Sequence, residues 1–208
     1  MAGAPLDRYA NFAELARHER AGLDYRVRLR SASSAMVVVA PHGGGIEPGT
    51  SELAEAVAGE RLSFYAFEGL KRSGNAALHV TSTRFDEPLC LALLARCESV
   101  VTLHGEQDKD PSVEIELGGL DEALCGRLEQ SLAARRFRVR RALGPRAGRE
   151  LENLCNRGRS QRGAQLELSR ALRESSFESF SAEGRTQRTT RFHDLVQAIM
   201  GALASPAR

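Results

Sequence analysis

Two continuous apolar runs constrain the fold of this 208-residue chain more than any other feature. "AMVVVA" at residues 35–40 and "SVVTL" at residues 99–103 are rich in β-branched residues. Such runs are typical of strands that are buried on both faces. Segments with helical spacing of apolar residues alternate with these and other strand-like segments. The sequence therefore predicts an α/β fold, as a single domain over residues 1–208 with three α/β/α layers and a central mixed, largely parallel sheet.

The remaining elements follow from local patterns. Further strands are predicted at "DYRVRLRS" (an edge strand), "RLSFYAFEG", "ALHVTS", "SVEIELGG", "FRVRRAL" and "AQLELS". Helices are predicted over residues 10–18, 50–59 (with Thr50 or Ser51 as the N-cap), 88–97, 121–136 and 187–204. The segment 144–163 is rich in Gly and Arg, and we expect it to be a functional loop near the site.

Composition excludes several classes of partner. The formal net charge is +2, which is too small to indicate nucleic acid or a membrane surface, and the chain has no Trp. No apolar run reaches the roughly 18 residues of a membrane span, and the N-terminus lacks the pattern of a signal peptide. The four cysteines form no C-x-x-C pair and are predicted to be buried thiols. We expect a cytoplasmic monomer that binds neither nucleic acid nor membranes.

Two histidines end the two buried strands, His42 in "VVVAPH" and His104 in "VVTLH". Ligands of open α/β sheets bind beyond the carboxyl ends of the strands, so both side chains should meet at one edge. Glu47 follows His42 on a loop whose glycines allow a tight turn. Two neutral imidazoles and one carboxylate are a common ligand set of catalytic zinc. The sequence thus predicts one Zn²⁺ per chain on His42, Glu47 and His104.

Other interpretations of this loop stay open. A phosphate-binding loop would need a lysine, and Glu47 would repel phosphate; a dinucleotide loop would need G-x-G-x-x-G. A turn in which His42 is only hydrogen-bonded is a further possibility. Among the other histidines, His79 is placed near the mouth of the site, as a packed or substrate-contacting residue in preference to a fourth ligand. His18 is expected to be exposed and His193 to be structural.

Several strings in chain order resemble one known family. They are "YANFAELA", "APHGGGIEPGTSELA", "FYAFEGLK", "LHVTSTRFDEP", "VVTLHG", "GGLDEAL", "NLCNRG" and "QLELSRALR". Over about residues 8–175 the chain resembles the poly-γ-glutamate hydrolases of phages, prophages and bacteria. The resemblance implies a core similar to zinc carboxypeptidases, a zinc on His42, Glu47 and His104, and hydrolysis of γ-glutamyl amide bonds. It also implies release by cell lysis if the protein is encoded by a phage.

The resemblance implies a catalytic glutamate on a late strand, which is Glu167 in "QLELS". Glu167 would be the general base for a zinc-activated water and then the proton donor to the leaving amine. A salt bridge with Arg170 or Arg173 is the structural alternative for Glu167. Glu106 and Asp108 are the alternative bases, because they follow His104.

The implied substrate is a polyanion, so a matching groove needs fixed positive charge. Arginines of the glycine-rich loop and of the following helix can provide it: Arg157, Arg159, Arg162, Arg170 and Arg173. Within the quoted motifs, the residues predicted to bind substrate are Arg173, Asn156, Arg157, Arg84 and His79.

Three rival functions remain at this stage. The same enzyme chemistry could act on peptidoglycan stem peptides, which also contain a γ-glutamyl link. Some relatives carry the label "phage-related replication protein", which suggests a nucleic-acid-binding accessory protein without hydrolase activity. A catalytically silent metal-binding protein is the third.

Overall fold

Seven strands form one mixed sheet in the structure, a computed structural model that describes residues 7–107, 110 and 112–204. The strands of these described residues are β1 (Tyr25–Arg30), β2 (Met36–Gly44), β3 (Ser63–Gly69), β4 (Ser99–Glu106), β5 (Ile115–Gly118), β6 (Val139–Arg141) and β7 (Ala164–Ser169). Their order across the sheet is β1-β3-β2-β4-β7-β5-β6.

The centre of the sheet is parallel. β3, β2, β4 and β7 pair in parallel, and β5 pairs with β6 in parallel as well. β1 is an antiparallel edge strand, and β5 is antiparallel to β7. The prediction of a mixed, largely parallel sheet is therefore confirmed. The central position of β2 and β4 explains their apolar runs, because both faces of these strands are covered.

Helices cover both faces of the sheet. Their bounds are α1 (Phe12–His18), α2 (Thr50–Ala58), α3 (Pro88–Leu94), α4 (Glu122–Ala134), α5 (Arg170–Ser175) and α6 (Thr190–Ala204). On one face Val38 and Leu166 pack with residues of α2, α4 and α6. On the other face Val37 and Val39 pack with residues of α1 and α3. Successive strand residues point to opposite faces, so this alternation yields the predicted three layers.

One predicted strand is wrong. "ALHVTS" at residues 77–82 does not join the sheet, but overlaps two 3₁₀ turns at Asn75–Leu78 and Ser82–Arg84. Side chains from elsewhere bind its backbone: the amide of Thr81 donates to Asp7, and the carbonyl of Val80 contacts His42. Because these groups are already bonded, they are not available to a neighbouring strand.

The N-cap of α2 also differs from the prediction. Gly49, at φ +94°, is the N-cap, and it is followed by Thr50 and Ser51 inside the helix. The hydroxyl of Thr50 donates to the carbonyl of Glu47, and the hydroxyl of Ser51 accepts from the amide of Gly44. Both side chains therefore fix the glycine loop instead of the helix end.

The cysteines fit the sequence-based expectation. All four cysteines are buried and unpaired, as predicted. In the part of the chain that the structure describes, none of the helices has both the length and the apolar character needed to traverse a bilayer.

Tight backbone packing at the start of β7 generates a stability prediction. A Cβ on Gly163 would lie 1.9 Å from the carbonyl oxygen of Cys155 and 2.4 Å from that of Val100. Gly163→Ala should therefore lower the free energy of unfolding by about 1–3 kcal/mol or more. Gly126→Ala is the matched control, because nothing lies within 4 Å of its added Cβ inside α4. This control should raise stability by up to about 1 kcal/mol. Urea unfolding measures both, and an unchanged Gly163→Ala midpoint would contradict the packing described.

Candidate functional site

The parallel pairing of β2 and β4 brings two histidines together at the carboxyl edge of the sheet. The Nδ1 atoms of His42 and His104 lie 3.2 Å apart. His42 is 2% exposed and His104 is 4% exposed. β2 is longer than predicted because it continues through the bend between Ala40 and Gly43, where its register with β3 shifts. That shift places His42 at the end of a strand that would otherwise have stopped at Pro41.

Glu47 folds back onto this histidine pair. Its Oε1 lies 3.1 Å from Nδ1 of His42, and its Oε2 accepts a 2.7 Å hydrogen bond from the amide of Gly105. The turn is closed by the amide of Glu47, which donates to the carbonyl of His42 at 2.8 Å. Gly44 allows this turn because it has φ +62°, and a Cβ there would meet the carbonyl oxygen of Gly69 at 2.6 Å.

Residues 80–82 fix the outer nitrogen of each ring. Nε2 of His42 lies 2.9 Å from the carbonyl oxygen of Val80. A carbonyl can only accept, so Nε2 carries the proton and Nδ1 holds the lone pair in the neutral ring. Nε2 of His104 lies 3.3 Å from the hydroxyl of Ser82. Residues 80–82, which the sequence predicted to be part of a strand, thus hold both histidine rings from the outer side of the site.

A third histidine joins the group. The rings of His79 and His42 have centroids 4.1 Å apart, and Nε2 of His79 lies 3.9 Å from Oε1 of Glu47. Nδ1 of His79 lies 2.7 Å from a carboxylate oxygen of Asp7. Ligand atoms of His42, Glu47 and His79 all lie within 4.8 Å of one another.

Two overlapping sets can therefore hold a metal. The first is the predicted set of His42, Glu47 and His104. Its side chains lie close to one another, and Nδ1 of His104 is 4.0 Å from Oε2 of Glu47. The second set replaces His104 by His79. Both sets share His42 and Glu47, so the structure brings the predicted residues together. It adds His79, which was expected to be packed or to contact substrate in preference to being a ligand.

Burial and proximity shift the pKa values of Glu47 and of the three histidines near it. Burial would raise the pKa of Glu47, but the neighbouring histidines outweigh it and lower that pKa to about 2. Burial would lower the pKa of His42, but Glu47 raises it overall. Burial and then the charge of His42 lower the pKa of His104 to about 3. The charge of His42, followed by burial, lowers the pKa of His79. Proton and metal therefore compete for the same nitrogens.

Glu167 lies on the strand next to His104. The two residues are register partners in the parallel pair β4–β7. Leu166 and Leu168 pack in the core with residues of α2, α4 and α6, so Glu167, which alternates with them along β7, lies on the opposite face of the strand. Glu167 is partly exposed and accepts from the side-chain amide of Gln165 at 3.2 Å. Burial and then the negative charges of Glu47 and Glu106 raise the pKa of Glu167 to about 8.

A possible salt-bridge partner of Glu167 and one of the alternative bases are paired with other residues. Arg170, one of its possible salt-bridge partners, pairs with Glu174 at 2.7 Å. Glu106, one of the alternative bases, pairs with Arg146 at 2.8 Å. Asp108, the other alternative base, lies outside the described residues.

Arg173 is a buried support of the site loops. Its side chain is 2% exposed, and its guanidinium donates to the carbonyls of Leu168, Pro48 and Glu106 at 3.2, 2.8 and 3.0 Å. These bonds join the loop after β2 to the ends of β4 and β7. These donors therefore have a structural role, and substrate binding by Arg173 stays a prediction.

Asn156 and Arg157 also serve the protein's own backbone. The buried amide of Asn156 donates to the carbonyls of Gly148 and Glu150 and accepts from the amides of Leu120 and Gly163. These bonds use both the amino group and the carbonyl oxygen, which does not support the prediction of substrate binding. Arg157 donates to the carbonyl of Phe85 at 3.0 Å and so fixes the segment behind the histidines.

The remaining predicted arginines lie elsewhere. Arg84 pairs with Asp7 at 2.6 Å and belongs to the support of His79. Arg159 pairs with Glu98, just before β4 begins, and residues 157–163 lead into the start of β7. Because β4 and β7 are parallel, this part of the glycine-rich loop is at the edge of the sheet opposite the histidines. The expectation that the whole segment 144–163 lies near the site is wrong for that part.

Sequence reasoning missed Asp7, Ser82 and Arg146. Asp7 precedes its partner His79 by 72 residues, and no local pattern links the two. Arg146 pairs with Glu106 and, at 3.1 Å, with Glu116, which is the register partner of Glu167. Ser82 and Arg146 carried a weak signal, because Ser82 lies in the quoted string "LHVTSTRFDEP" and Arg146 lies in the segment 144–163.

Two known proteins are similar to this chain over most of its length. The UPF0714 protein YndL of Bacillus subtilis (strain 168) is 38% identical over 196 residues, which cover 93% of this chain and 76% of YndL. A structure of YndL in a zinc-free apo form has a TM-score of 0.90 at 37% identity and covers 95% of this chain and 98% of that one. The structure of a bacteriophage poly-gamma-glutamate hydrolase has a TM-score of 0.91 at 35% identity. The match covers 96% of this chain and 97% of that chain.

A more distant structure shares the fold alone. N-formylglutamate amidohydrolase from Ralstonia eutropha JMP134 has a TM-score of 0.54 at 16% identity and covers 85% of this chain and 96% of that one. The family described as poly-gamma-glutamate hydrolase matches residues 9–198, which include every predicted site residue. With its fold, its histidine–glutamate site and this match in agreement, the chain belongs to the poly-gamma-glutamate hydrolase family.

Proposed function

We propose that the protein is a zinc-dependent amidohydrolase that cleaves γ-glutamyl amide bonds of poly-γ-glutamate. One observation carries the proposal: the Nδ1 atoms of His42 and His104 converge with Glu47, next to a partly exposed Glu167. Two comparisons support it, the name of the bacteriophage hydrolase and the zinc-free description of the YndL structure.

The residues present fit a zinc ion. Because the carbonyl of Val80 binds Nε2 of His42, Nδ1 of the neutral ring keeps its lone pair. Nδ1 of His104 lies 3.2 Å from that Nδ1 atom. Two imidazole nitrogens and one carboxylate are the ligand types of catalytic zinc. His42, Glu47 and His104 would hold the ion. When bound there, zinc supplies a Lewis acid that polarises an amide carbonyl and makes water more acidic.

Glu167 supplies the proton transfers in this proposal. A general base must reach its proton and have a pKa near the working pH. Glu167 lies beside His104 with a pKa of about 8, so its carboxyl can both accept and release a proton near neutrality. It takes the proton of the attacking water and later gives it to the leaving amine. Gln165 orients the carboxyl by donating to Oε1.

A cavity beside Glu47 suits an acidic substrate. It has a volume of about 240 Å³, and Arg170, Arg173 and Phe180 line it together with Gly105. Arg170 is half exposed, and its exposed pair with Glu174 is weak enough to exchange for a substrate carboxylate. The absence of a nucleic-acid partner, the monomeric state and the cytoplasmic location stay predictions.

The zinc site can be tested by metal content. After loading and desalting, the wild-type protein should retain about one zinc per chain. His104→Ala should lose most of the metal and keep its fold, because it removes one ligand from preformed strand ends. His193→Ala is the matched control, since His193 is exposed on α6. Full zinc retention by a folded His104→Ala variant would remove His104 from the ligand set.

Glu167→Gln tests the proton-transfer role. Gln has the same volume but cannot take a proton, so turnover should fall on the order of 10²–10⁴-fold. Zinc content and melting temperature should stay near those of the wild type. Glu129→Gln, on α4 and in a partly exposed ion pair with Arg141, is the control and should keep full turnover. An active but destabilised Glu167→Gln enzyme would exclude Glu167 as the base and direct attention to Glu106.

Linkage specificity tests the substrate. The zinc-loaded enzyme should shorten poly-γ-glutamate and leave α-linked polyglutamate intact, as measured by size-exclusion chromatography. A peptidoglycan stem peptide with a γ-glutamyl link serves as the third substrate. Cleavage of the stem peptide alone would agree with hydrolysis of γ-glutamyl bonds but would contradict poly-γ-glutamate as the substrate.

A further inference from the structure

We propose that His79 is a further metal ligand and that the carboxylate of Asp7 orients it, which together give the site a protein ligand at its mouth. The inference rests on the proposed zinc site. It goes beyond the predicted set of His42, Glu47 and His104.

The distances place Nε2 of His79 where a ligand would be. Zinc–ligand bonds of about 2.0–2.2 Å put two ligands of one tetrahedral ion about 3.4 Å apart. Glu47 Oε1 lies 3.1 Å from Nδ1 of His42 and 3.9 Å from Nε2 of His79. The ring of His79 is tilted by 34° against that of His42, so both rings lean over the same carboxylate. A movement of about half an ångström would bring Nε2 to ligand distance.

Asp7 selects the nitrogen that faces the site. A carboxylate accepts hydrogen bonds, so the 2.7 Å contact with Asp7 places the proton of a neutral His79 ring on Nδ1. The lone pair is then on Nε2, towards Glu47. Carboxylates that hold the far nitrogen of a histidine ligand in this way set its tautomer and raise its basicity.

Asp7 is itself held in place. Its side chain is almost fully buried, and it also accepts from the amide of Thr81 at 2.8 Å and from Arg84 at 2.6 Å. The Asp7 carboxylate thus has three contacts, with His79, Thr81 and Arg84, and all three lie on the segment that carries His79. Asp7 also precedes residues 9–198, so the family match does not assign it a role.

The exposure of His79 suggests what its ligation does. His79 is 35% exposed at its side chain, whereas His42 and His104 are buried. A catalytic zinc site keeps one position open for water or substrate. A ligand at the solvent side can leave that position without disturbing the buried ligands. With zinc bound, His79 would therefore take the solvent side of the site, while His42 and His104 hold the buried side.

Zinc affinity tests the proposal without any activity assay. Competition with a chromogenic chelator should show weaker zinc binding in His79→Ala and in Asp7→Asn. For Asp7→Asn we expect a loss on the order of 10–100-fold, the usual effect of removing such a supporting carboxylate. His193→Ala should bind zinc like the wild type. If His79→Ala fails to fold, His79→Gln keeps most of the side-chain volume and replaces it.

The Co²⁺-substituted protein gives a second readout. Its visible absorption reports the ligands of the ion, so His79→Ala should change the spectrum and His193→Ala should not. Unchanged zinc affinity and an unchanged Co²⁺ spectrum in His79→Ala would overturn the proposal and leave His79 as a substrate contact. A wild-type protein that binds no zinc would instead overturn the proposed function, and this inference with it.

Discussion

The site depends on the parallel pairing of β2 with β4. Parallel strands end at the same edge, so one pairing sets the separation of His42 and His104. The apolar runs of both strands bury this pair of elements at the centre of the sheet, with helices on either face. The two imidazoles are therefore held by the most buried part of the fold. Glu47 and His79 are contributed by the segments between the strands, and Asp7, which contacts His79, precedes the first strand.

Burying so many ionisable groups requires compensation, since an unpaired buried charge is costly. Here most of the compensation is arranged in pairs: Glu47 faces His42, and Glu116 faces Arg140 and Arg146. Glu167 is the exception, because Glu116 opposes it across the β5–β7 pair and because burial and the charges of Glu47 and Glu106 outweigh those of His42 and Arg146. The raised pKa that results is the property that the proposed proton transfer requires.

The sequence alone predicted the sheet, the layers and the strand-end histidines, because long apolar runs and strand–helix alternation are local patterns. It failed where a side chain from far along the chain decides the local structure. "ALHVTS" has the composition of a strand, but Asp7 and His42 bind its backbone and keep it out of the sheet. Arg173 and Asn156 have the chemistry of substrate-binding residues, yet their donors serve carbonyls that only the folded chain brings near. Charge and motif position cannot distinguish a binding arginine from a buried one.

The guanidinium of Arg173 has a mechanical consequence. It ties the turn that carries Glu47 to the ends of β4 and β7, so three segments of distant sequence share one cation from α5. These segments cannot loosen one at a time without leaving a buried donor unsatisfied. We therefore expect the loop of Glu47 and helix α5 to unfold locally as one cooperative unit, so that backbone amides in both exchange their hydrogens at a common rate.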